Sequence, residues 1–323
     1  MGNSKKPKIV VLGGGTGMPV LLRGLKKYPI DLSTIVTVAD DGGSSGKLRK
    51  EIAMLPAPGD IRNVITALAN VDAELMELFQ HRFQTKNGLD GHSLGNIVLA
   101  AMNSITGNFY EAVEKVSQML RVKGKIYPIV NESITLHAEM EDGTIVSGES
   151  NIPMKNKKIK RVFITPNNIK PMPEVVQSIL DADLIVISPG SLYTSILPNL
   201  IMQDVINAIN QTKAKVVYVC NIMTQNGETN GYSAADHVRA IFNHIGQNTI
   251  DSIVVHHQPI PDHILHSYAK QRSHPVNIDF HNLLDLNLEI IAEDIIDYSQ
   301  RVVRHNTEKI SAILYHMVSQ IGK

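Results

Sequence analysis

The residues best suited to chemistry in this sequence are glycines that stand between an apolar run and a helical pattern. The segment KIVVLGGGTGMPVLLRGL contains them at residues 8–25. Glycine lets a backbone turn sharply and approach a phosphate, because no Cβ stands in the way. The N–H groups that open the following helix also attract a negatively charged group. The residues predicted to contact a phosphate are Gly13, Gly14, Gly15, Thr16 and Gly17.

This glycine loop is a variant of the dinucleotide-binding fingerprint. Gly13 and Gly15 match its first two glycines, but Met18 occupies the position of the third. A plain strand-to-helix turn would need the same glycines for its geometry alone. The order of strand, glycines and helix favours a nucleotide site over that alternative. NAD is therefore one candidate ligand of the loop.

A second polar loop, ADDGGSSG at residues 39–46, follows the next predicted strand. Asp40 follows the glycine loop at about the separation at which a dinucleotide fold places a carboxylate on the ribose hydroxyls. Asp40 and Asp41 together could instead hold Mg²⁺, which prefers carboxylate and phosphate oxygens. Ser44 and Ser45 add hydroxyl groups, and a solvated turn is the simpler alternative. We predict ligand contact for all four residues.

The segment PAPGDIRN at residues 56–63 is predicted to open a helix, with Asp60 as its N-cap. Arg62 then lies in the first helical turn, where a cation is unfavourable against the helix dipole. Binding a phosphate or pairing with an aspartate would each explain that position. Asn63 beside it is a further ligand candidate. Three carboxylates are candidate catalytic groups: Asp40, Asp41 and Asp60.

Three more polar loops follow apolar runs or open helices. GHSLGN contributes His92 and Asn96. SPGSLYTSILPN presents Gly190 and Ser191 to a helix start, which is a second anion-binding geometry. Asn221 ends an apolar run, and open α/β sheets place ligands at that end of their strands. These residues are predicted to bind the ligand.

The C-terminal segment VVRHNTEKI supplies two further candidates. Arg304 is predicted to contact an anion, and Thr307 is a candidate phosphorylation site, because added charge beside Arg304 would reorder this end. The histidines of residues 256–274 match no established zinc pattern, so a metal site there is disfavoured.

Composition and charge restrict the class of protein. The chain has 323 residues, with 31 basic and 31 acidic side chains and a formal net charge of +0, so it carries no electrostatic footprint for nucleic acid. One cysteine excludes a disulfide framework. The polar start does not resemble a signal peptide, and no apolar run is long enough for membrane insertion. We expect a cytoplasmic protein that handles small molecules.

Alternating strand and helix patterns position these residues. The rhythm of β and α segments predicts an α/β fold, modified Rossmann-like, with a mainly parallel sheet. Residues 125–166 break the rhythm and predict an inserted antiparallel β segment, with Asp142 and Gly143 as a hairpin turn. We expect a single domain over residues 1–323 with that insertion inside it.

Taken together, the motifs resemble a known family. GGGTG, ADDGGSSG, PAPGDIRN, GHSLGN, SPGSLYTSILPNL and NIMTQNGET are similar to those of YvcK-type gluconeogenesis factors, in the 2-phospho-L-lactate transferase (CofD)-like family. The resemblance implies a modified Rossmann-like fold and a homodimer. It also implies a UDP-sugar binder needed for cell shape, envelope integrity and growth on gluconeogenic carbon sources. The transferase relatives move a phospholactyl group from a guanosine diphosphate carrier to a flavin-like acceptor, with Mg²⁺.

The resemblance leaves two functions open. In a regulator, the glycine loop, Asp40, Arg62, Ser191 and Asn221 hold a nucleoside diphosphate and no reaction follows. In a phosphotransferase, the aspartates place Mg²⁺ on the bridging phosphate and ease phosphoryl transfer. GDP and NAD are the other ligands considered, and an NAD-binding protein is the third function. We favour the regulator, with Thr307 as a substrate of a Ser/Thr kinase.

Overall fold

The computed structural model describes residues 6–52, 54–86, 88–270, 272–297 and 303–321, apart from the side chains of four of them at positions 263, 267, 269 and 321. A parallel sheet of seven strands lies at its centre. A three-stranded antiparallel sheet and a two-stranded antiparallel ladder accompany it. The predicted α/β, Rossmann-like class is confirmed.

The strands of the central sheet are β1 (Lys8–Gly13), β2 (Asp31–Val36), β3 (Lys125–Pro128), β7 (Leu184–Ile187), β8 (Lys215–Val219), β9 (Ser252–His256) and β10 (Glu289–Glu293). The antiparallel strands are β4 (Thr135–Met140), β5 (Ile145–Ser147), β6 (Ile159–Thr165), β11 (Ile296–Asp297) and β12 (Arg304–His305).

The helices of the first half are α1 (Gly17–Leu25), α2 (Gly43–Glu51), α3 (Pro58–Leu68), α4 (Ala73–Gln80), α5 (Leu94–Thr106), α6 (Phe109–Met119) and α7 (Asn151–Met154). Those of the second half are α8 (Pro173–Leu180), a π-helix (Leu192–Ile196), α9 (Leu197–Leu200), α10 (Gln203–Gln211), α11 (Ala234–Ile245), α12 (Asp262–Ala269), α13 (Phe280–Asp285) and α14 (Thr307–Ile321).

The order of strands in the central sheet is β10-β9-β8-β7-β1-β2-β3. The chain moves from β1 through β2 to β3 on one side, and later returns to β7 on the other side of β1. A crevice therefore opens at the carboxyl ends of β1 and β7, where the direction of strand addition reverses. Open α/β sheets bind their ligands at such switch points.

Most residues of β1, β7 and β8 are apolar and buried, as expected for strands of a parallel sheet covered on both faces. All of Ile9, Leu12, Leu184 and Ile187 are buried. Met18, the residue that replaces the third glycine of the fingerprint, is completely buried in the same core. The departure from the fingerprint therefore has a packing explanation, since the large Met18 side chain anchors helix α1 in the core beside the sheet.

The antiparallel sheet has the order β5-β4-β6, and Gly143 turns its hairpin with a φ of +82°. The predicted turn at Asp142 and Gly143 is confirmed. The predicted limits of 125–166 are wrong at the start, because β3 pairs in parallel with β2 and belongs to the central sheet. The prediction failed because KIYP, the sequence of β3, is too short to indicate which sheet it joins. The antiparallel sheet lies within residues 135–165.

The C-terminal elements pack against the N-terminal ones. Strand β12 pairs with β11, and helix α14 lies on α1, where Ser311 Oγ donates to the carbonyl of Leu21 at 3.4 Å. A Cβ on Gly24 would overlap Ser311 and the carbonyl of Thr307, so glycine permits this close approach. Within the described residues, no helix combines the length and the apolar character needed to cross a bilayer.

Candidate functional site

The glycine loop of residues 13–17 joins β1 to α1 at the switch point. Asn199 Nδ2 and the N–H of Thr37 donate to the carbonyl of Gly13, at 2.9 and 3.2 Å. Gly15 has a φ of +66°, and a Cβ on Gly17 would overlap the carbonyl of Pro189. These glycines are therefore required by the backbone that packs on them, whether or not a ligand is bound.

The N-terminus of α1 is open to an anion. Thr16 is its N-cap residue but makes no capping hydrogen bond through its side chain, and the first turn contains no acidic residue. The first N–H groups of a helix have no partner within the helix and carry partial positive charge. Pro19 has no backbone N–H, so a phosphate placed beside Thr16 would receive hydrogen bonds from the N–H groups of Gly17 and Met18.

The loop after β7 is held in place by Asn221, which follows β8. Asn221 Oδ1 accepts from the N–H of Gly190 at 2.9 Å, and its Nδ2 donates to the carbonyl of Gly190 at 2.7 Å. Both polar atoms of the side chain are therefore used within the protein. Asn221 is a positioning residue for Gly190 and Ser191, which lie on the wall of the crevice.

Sequence reasoning missed Glu228, which caps the π-helix that follows this loop. One carboxylate oxygen accepts from the N–H of Tyr193 at 3.0 Å, and the other accepts from the Thr194 hydroxyl at 2.9 Å. Burial raises the pKa of Glu228. The predicted anion site at residues 188–199 is thus partly filled by the protein's own carboxylate. Glu228 belongs to the NIMTQNGET motif, but the sequence of that motif does not indicate a capping role.

A group of carboxylates lies behind the glycine loop. Asp60 is buried, and burial together with Asp40 raises its pKa to about 6, although the N–H of Gly15 donates to it. Burial and the nearby Asp40 and Asp60 raise the pKa of Glu149 to about 8. Glu149 is therefore mostly protonated at pH 7, and the group carries less negative charge than its composition suggests.

The adjacent pair Asp40 and Asp41 does not form a magnesium site by itself. Asp40 Oδ1 accepts from the N–H of Gly42, and Asp41 Oδ1 accepts from the N–H of Ser150, each at 2.9 Å. The two side chains thus bind different backbone segments. Among the residues described, no three Asp, Glu, His or Cys side chains are grouped so that they could hold a metal ion. Magnesium stays a prediction, and we derive no step through it.

Four predicted ligand residues lie together at the start of α2 and α5. Ser44 Oγ lies 3.2 Å from His92 Nδ1 and accepts from the N–H of Ser93 at 3.3 Å, so Ser44 and His92 join the two helices. Ser45 is buried against Gly59, and Asn96 is buried with its Oδ1 unpaired among the described residues. None of the four lines the two cavities described next, so their contact with a ligand stays a prediction.

A cavity of about 300 Å³ opens at the switch point. Gly13, Gly14 and Gly15 do not line it. Six of the predicted ligand residues do, and they come from four separate segments of the chain: Thr16, Gly17, Gly190, Ser191, Asn221 and Arg304.

Sequence reasoning missed the wall opposite the glycine loop, which is formed by Gln225, Tyr268 and His305. The Tyr268 hydroxyl accepts from the N–H of Val303 at 2.7 Å, which fixes the ring beside Arg304. Burial lowers the pKa of His305 to about 4, so the ring is neutral at pH 7 and contacts the carbonyl of Cys220 at 3.0 Å. An aromatic ring, an arginine and an open helix N-terminus thus face one cavity.

Arg62 and Asn63 lie in a neighbouring cavity, which shares Thr16 and Arg304 with the first. Arg62 Nη2 donates to Asn63 Oδ1 at 2.7 Å. The predicted start of this helix was wrong: Ala57 is the N-cap of α3, Asp60 lies in its first turn and Arg62 in its second, because Pro58 is already helical. Arg62 nevertheless lies at the edge of the same crevice.

Comparison with known proteins agrees with this architecture. Residues 9–296 match the family described as 2-phospho-L-lactate transferase CofD. A gluconeogenesis factor of Halalkalibacterium halodurans is 54% identical over 307 residues, which are 95% of each chain. That of Bacillus subtilis is 52% identical over 316 residues, 98% of this chain and 99% of its own.

A crystal structure of a Bacillus halodurans protein superposes with a TM-score of 0.94 at 54% identity, covering 96% of this chain and 100% of that one. Fold, sequence and the strand-order switch point all agree. The chain therefore belongs to the CofD family and, within it, to the proteins named gluconeogenesis factors.

Proposed function

We propose that this protein binds a nucleoside diphosphate sugar of the UDP type in the cavity at the carboxyl ends of β1, β7 and β8. The observation that carries the proposal is the meeting of three features in one cavity. These are the uncapped N-terminus of α1, the loop of Gly190 and Ser191, and the guanidinium of Arg304. Each of them suits a phosphate group.

The shape of the cavity supports a ligand of this class. Phosphates beside Thr16 and Gly17 would leave the opposite wall, with Tyr268 and Met223, for the base. An aromatic ring and a polarizable thioether suit the flat face of a nucleobase. A volume of about 300 Å³ lies at the lower end of the range of small-molecule sites, so part of the ligand would extend into solvent.

We further propose that the protein is a cytoplasmic regulator needed for cell shape and for growth on gluconeogenic carbon, without turnover of the nucleotide. The name of its close relatives supports the metabolic part of this role. The separate backbone partners of Asp40 and Asp41 argue against a preformed metal pair for phosphoryl transfer. The match to the transferase family keeps a Mg²⁺-dependent phosphotransferase as the second candidate.

Calorimetric titration tests the proposal, with UDP-N-acetylglucosamine, GDP and NAD as ligands, each with and without Mg²⁺, followed by a product assay. Arg304→Gln removes one charge-assisted contact and is expected to weaken uridine nucleotide binding by about tenfold or more. Arg239→Gln on α11, outside the cavity, is the matched control. Failure of the wild type to bind uridine nucleotides rejects the proposal. Metal-dependent release of a nucleoside monophosphate identifies the transferase.

We also propose that a Ser/Thr kinase modifies Thr307. This residue begins α14, directly after Asn306, whose Oδ1 accepts from the N–H of Lys309 at 3.0 Å. A phosphate at this helix N-terminus would be favoured by the dipole and by the nearby Arg304. Phosphopeptide mass spectrometry of cells tests this, and a Thr307 that is always unmodified contradicts it.

A homodimer is the proposed assembly. Light scattering measures the mass of the protein in solution and tests it.

A further inference from the structure

A second cavity, of about 340 Å³, lies beside the nucleotide cavity and shares Thr16, Val20 and Arg304 with it. Its remaining wall comes from α1, α3 and the end of α4. We refer to it as the basic cavity, because three arginines line it: Arg23, Arg62 and Arg304.

The three arginines come from three different elements. Arg23 lies on the same face of α1 as Thr16 and Val20, since residues three, four and seven apart share a helix face. Arg62 comes from the second turn of α3, and Arg304 comes from β12. No carboxylate lines the cavity, and none of the three arginines forms an ion pair within the described part of the chain.

Two buried polar atoms on this wall also lack a partner. Arg62 Nε and Thr66 Oγ1 make no hydrogen bond among the described residues, although Arg62 Nη2 is held by Asn63. A buried donor without a partner destabilises a protein by about 1–3 kcal/mol, so native structures rarely leave one without a ligand or water. Both atoms have almost no solvent-accessible surface, so they represent unused hydrogen-bonding capacity within this wall.

Electrostatics point the same way. Burial and the nearby Arg304 lower the pKa of Arg23, while burial and Arg82 lower that of Arg62. Arg304 thus repels Arg23 across the basic cavity, and a bound anion would relieve that repulsion, whereas two nearby carboxylates also stabilise the charge of Arg62. Arginines without a ligand are expected to lie apart from one another on the surface, in water or beside carboxylates, and not to share one cavity.

We propose that the basic cavity is a second oxyanion site that binds the phosphoryl group of a small molecule. The three arginines, Thr66 and Gln80 are among the residues that line it. Arginine suits such a group because its planar N–H donors match two phosphate oxygens at once. The site does not depend on a nucleotide in the neighbouring cavity. Its ligand is either a separate phosphorylated molecule or the bridging diphosphate of the nucleotide sugar itself.

Calorimetric titration of the full chain with pyrophosphate, at constant ionic strength, tests the site. Wild type is expected to bind pyrophosphate, and Arg23→Gln is expected to weaken that binding by about tenfold or more, through loss of one charge-assisted contact. Arg23 lines the basic cavity but not the nucleotide cavity, so the variant separates the two. Arg62→Lys keeps the charge but loses the fork of donors, and is expected to give a smaller loss.

Arg239 lies in α11 and lines neither cavity. The variant Arg239→Gln controls for the change in net charge and is expected to bind pyrophosphate like wild type. Circular dichroism melts establish that each variant is folded. A repeat with saturating UDP-N-acetylglucosamine identifies the source of the phosphate. If wild type saturated with UDP-N-acetylglucosamine binds pyrophosphate as well as before, the natural ligand is a separate molecule. If the UDP-sugar blocks pyrophosphate binding and Arg23→Gln also binds the UDP-sugar more weakly, the ligand is the nucleotide's own phosphate.

The inference is overturned if wild type does not bind pyrophosphate, or if Arg23→Gln and Arg62→Lys both bind it like wild type. If wild type binds pyrophosphate but not the UDP-sugar, the proposed function is rejected and the phosphate site is retained, because pyrophosphate is titrated without nucleotide.

Discussion

Replacing Asp60 by Asn should make the protein more stable at neutral pH, by an amount that shrinks as the pH falls. The Asp60 carboxyl is buried beside Asp40, and its pKa rises from the ordinary value of 3.8 to about 6. The unfolded chain therefore gives up this proton more readily than the folded one does. Asparagine has nearly the same shape and no charge, so it avoids the penalty of burying a carboxylate.

The magnitude follows from proton linkage. Each unit between the two pKa values is worth about 1.4 kcal/mol. The folded protein loses stability as the pH rises from the unfolded to the folded pKa, because the folded state holds the proton longer. For Asp60 that loss is about 1.6 kcal/mol at pH 5 and about 3 kcal/mol at pH 7.5, so the effect of Asp60→Asn should grow by about 1.4 kcal/mol between them.

Urea denaturation of wild type and Asp60→Asn at pH 5 and pH 7.5 measures this difference. Comparing the two proteins at each pH removes the contributions of the other titrating groups. Asp72→Asn provides a matched control, because Asp72 is an exposed helix N-cap where Asn and Asp are equally favourable. Equal differences at the two pH values would refute the reasoning, since they would mean that Asp60 ionises in the folded protein as it does in the unfolded chain.

Three further predictions concern the backbone of the site. Gly17→Ala should lower the free energy of unfolding by about 1–3 kcal/mol in urea melts, because the new Cβ meets the Pro189 carbonyl; an effect no larger than that of Gly42→Ala would contradict this. Asn221→Ala should cost about 2 kcal/mol in the same assay through two lost hydrogen bonds, and Asn210→Ala on α10 should cost far less. Glu228→Ala should be more destabilising than Glu228→Gln, which keeps one acceptor for the π-helix; equal losses would show that the cap is unimportant.

The fold was largely predictable because its signals are local. The apolar run of β1, the glycines after it and the helical pattern of α1 occur within eighteen residues, 8–25. The sheet assignment of β3 failed because pairing with β2 depends on a partner about ninety residues away (Lys125 beside Ser33, 125 − 33 = 92). Four residues give no periodicity that could reveal such a partner.

The site was predictable where a residue sits in a recognisable loop, and not where its role is set by a distant neighbour. Thr16, Ser191 and Arg304 were predicted as ligand contacts and lie on one crevice, while their contact with a ligand stays a prediction. Asn221 was identified, but the use of its amide on Gly190 is visible only in three dimensions. Arg23 was overlooked because a cation in the last turn of a helix already has a sufficient explanation in the helix dipole.

The packing of α14 on α1 has a consequence for the order in which this protein can become functional. The ligand crevice draws Thr16 from the start of the chain and Arg304 from near its end. A chain emerging from the ribosome can complete the central sheet once β10 has been made, but the wall that carries Arg304 does not yet exist. The proposed ligand site therefore needs residues that are synthesised after the last strand of the central sheet, so the sheet can form before the site is complete.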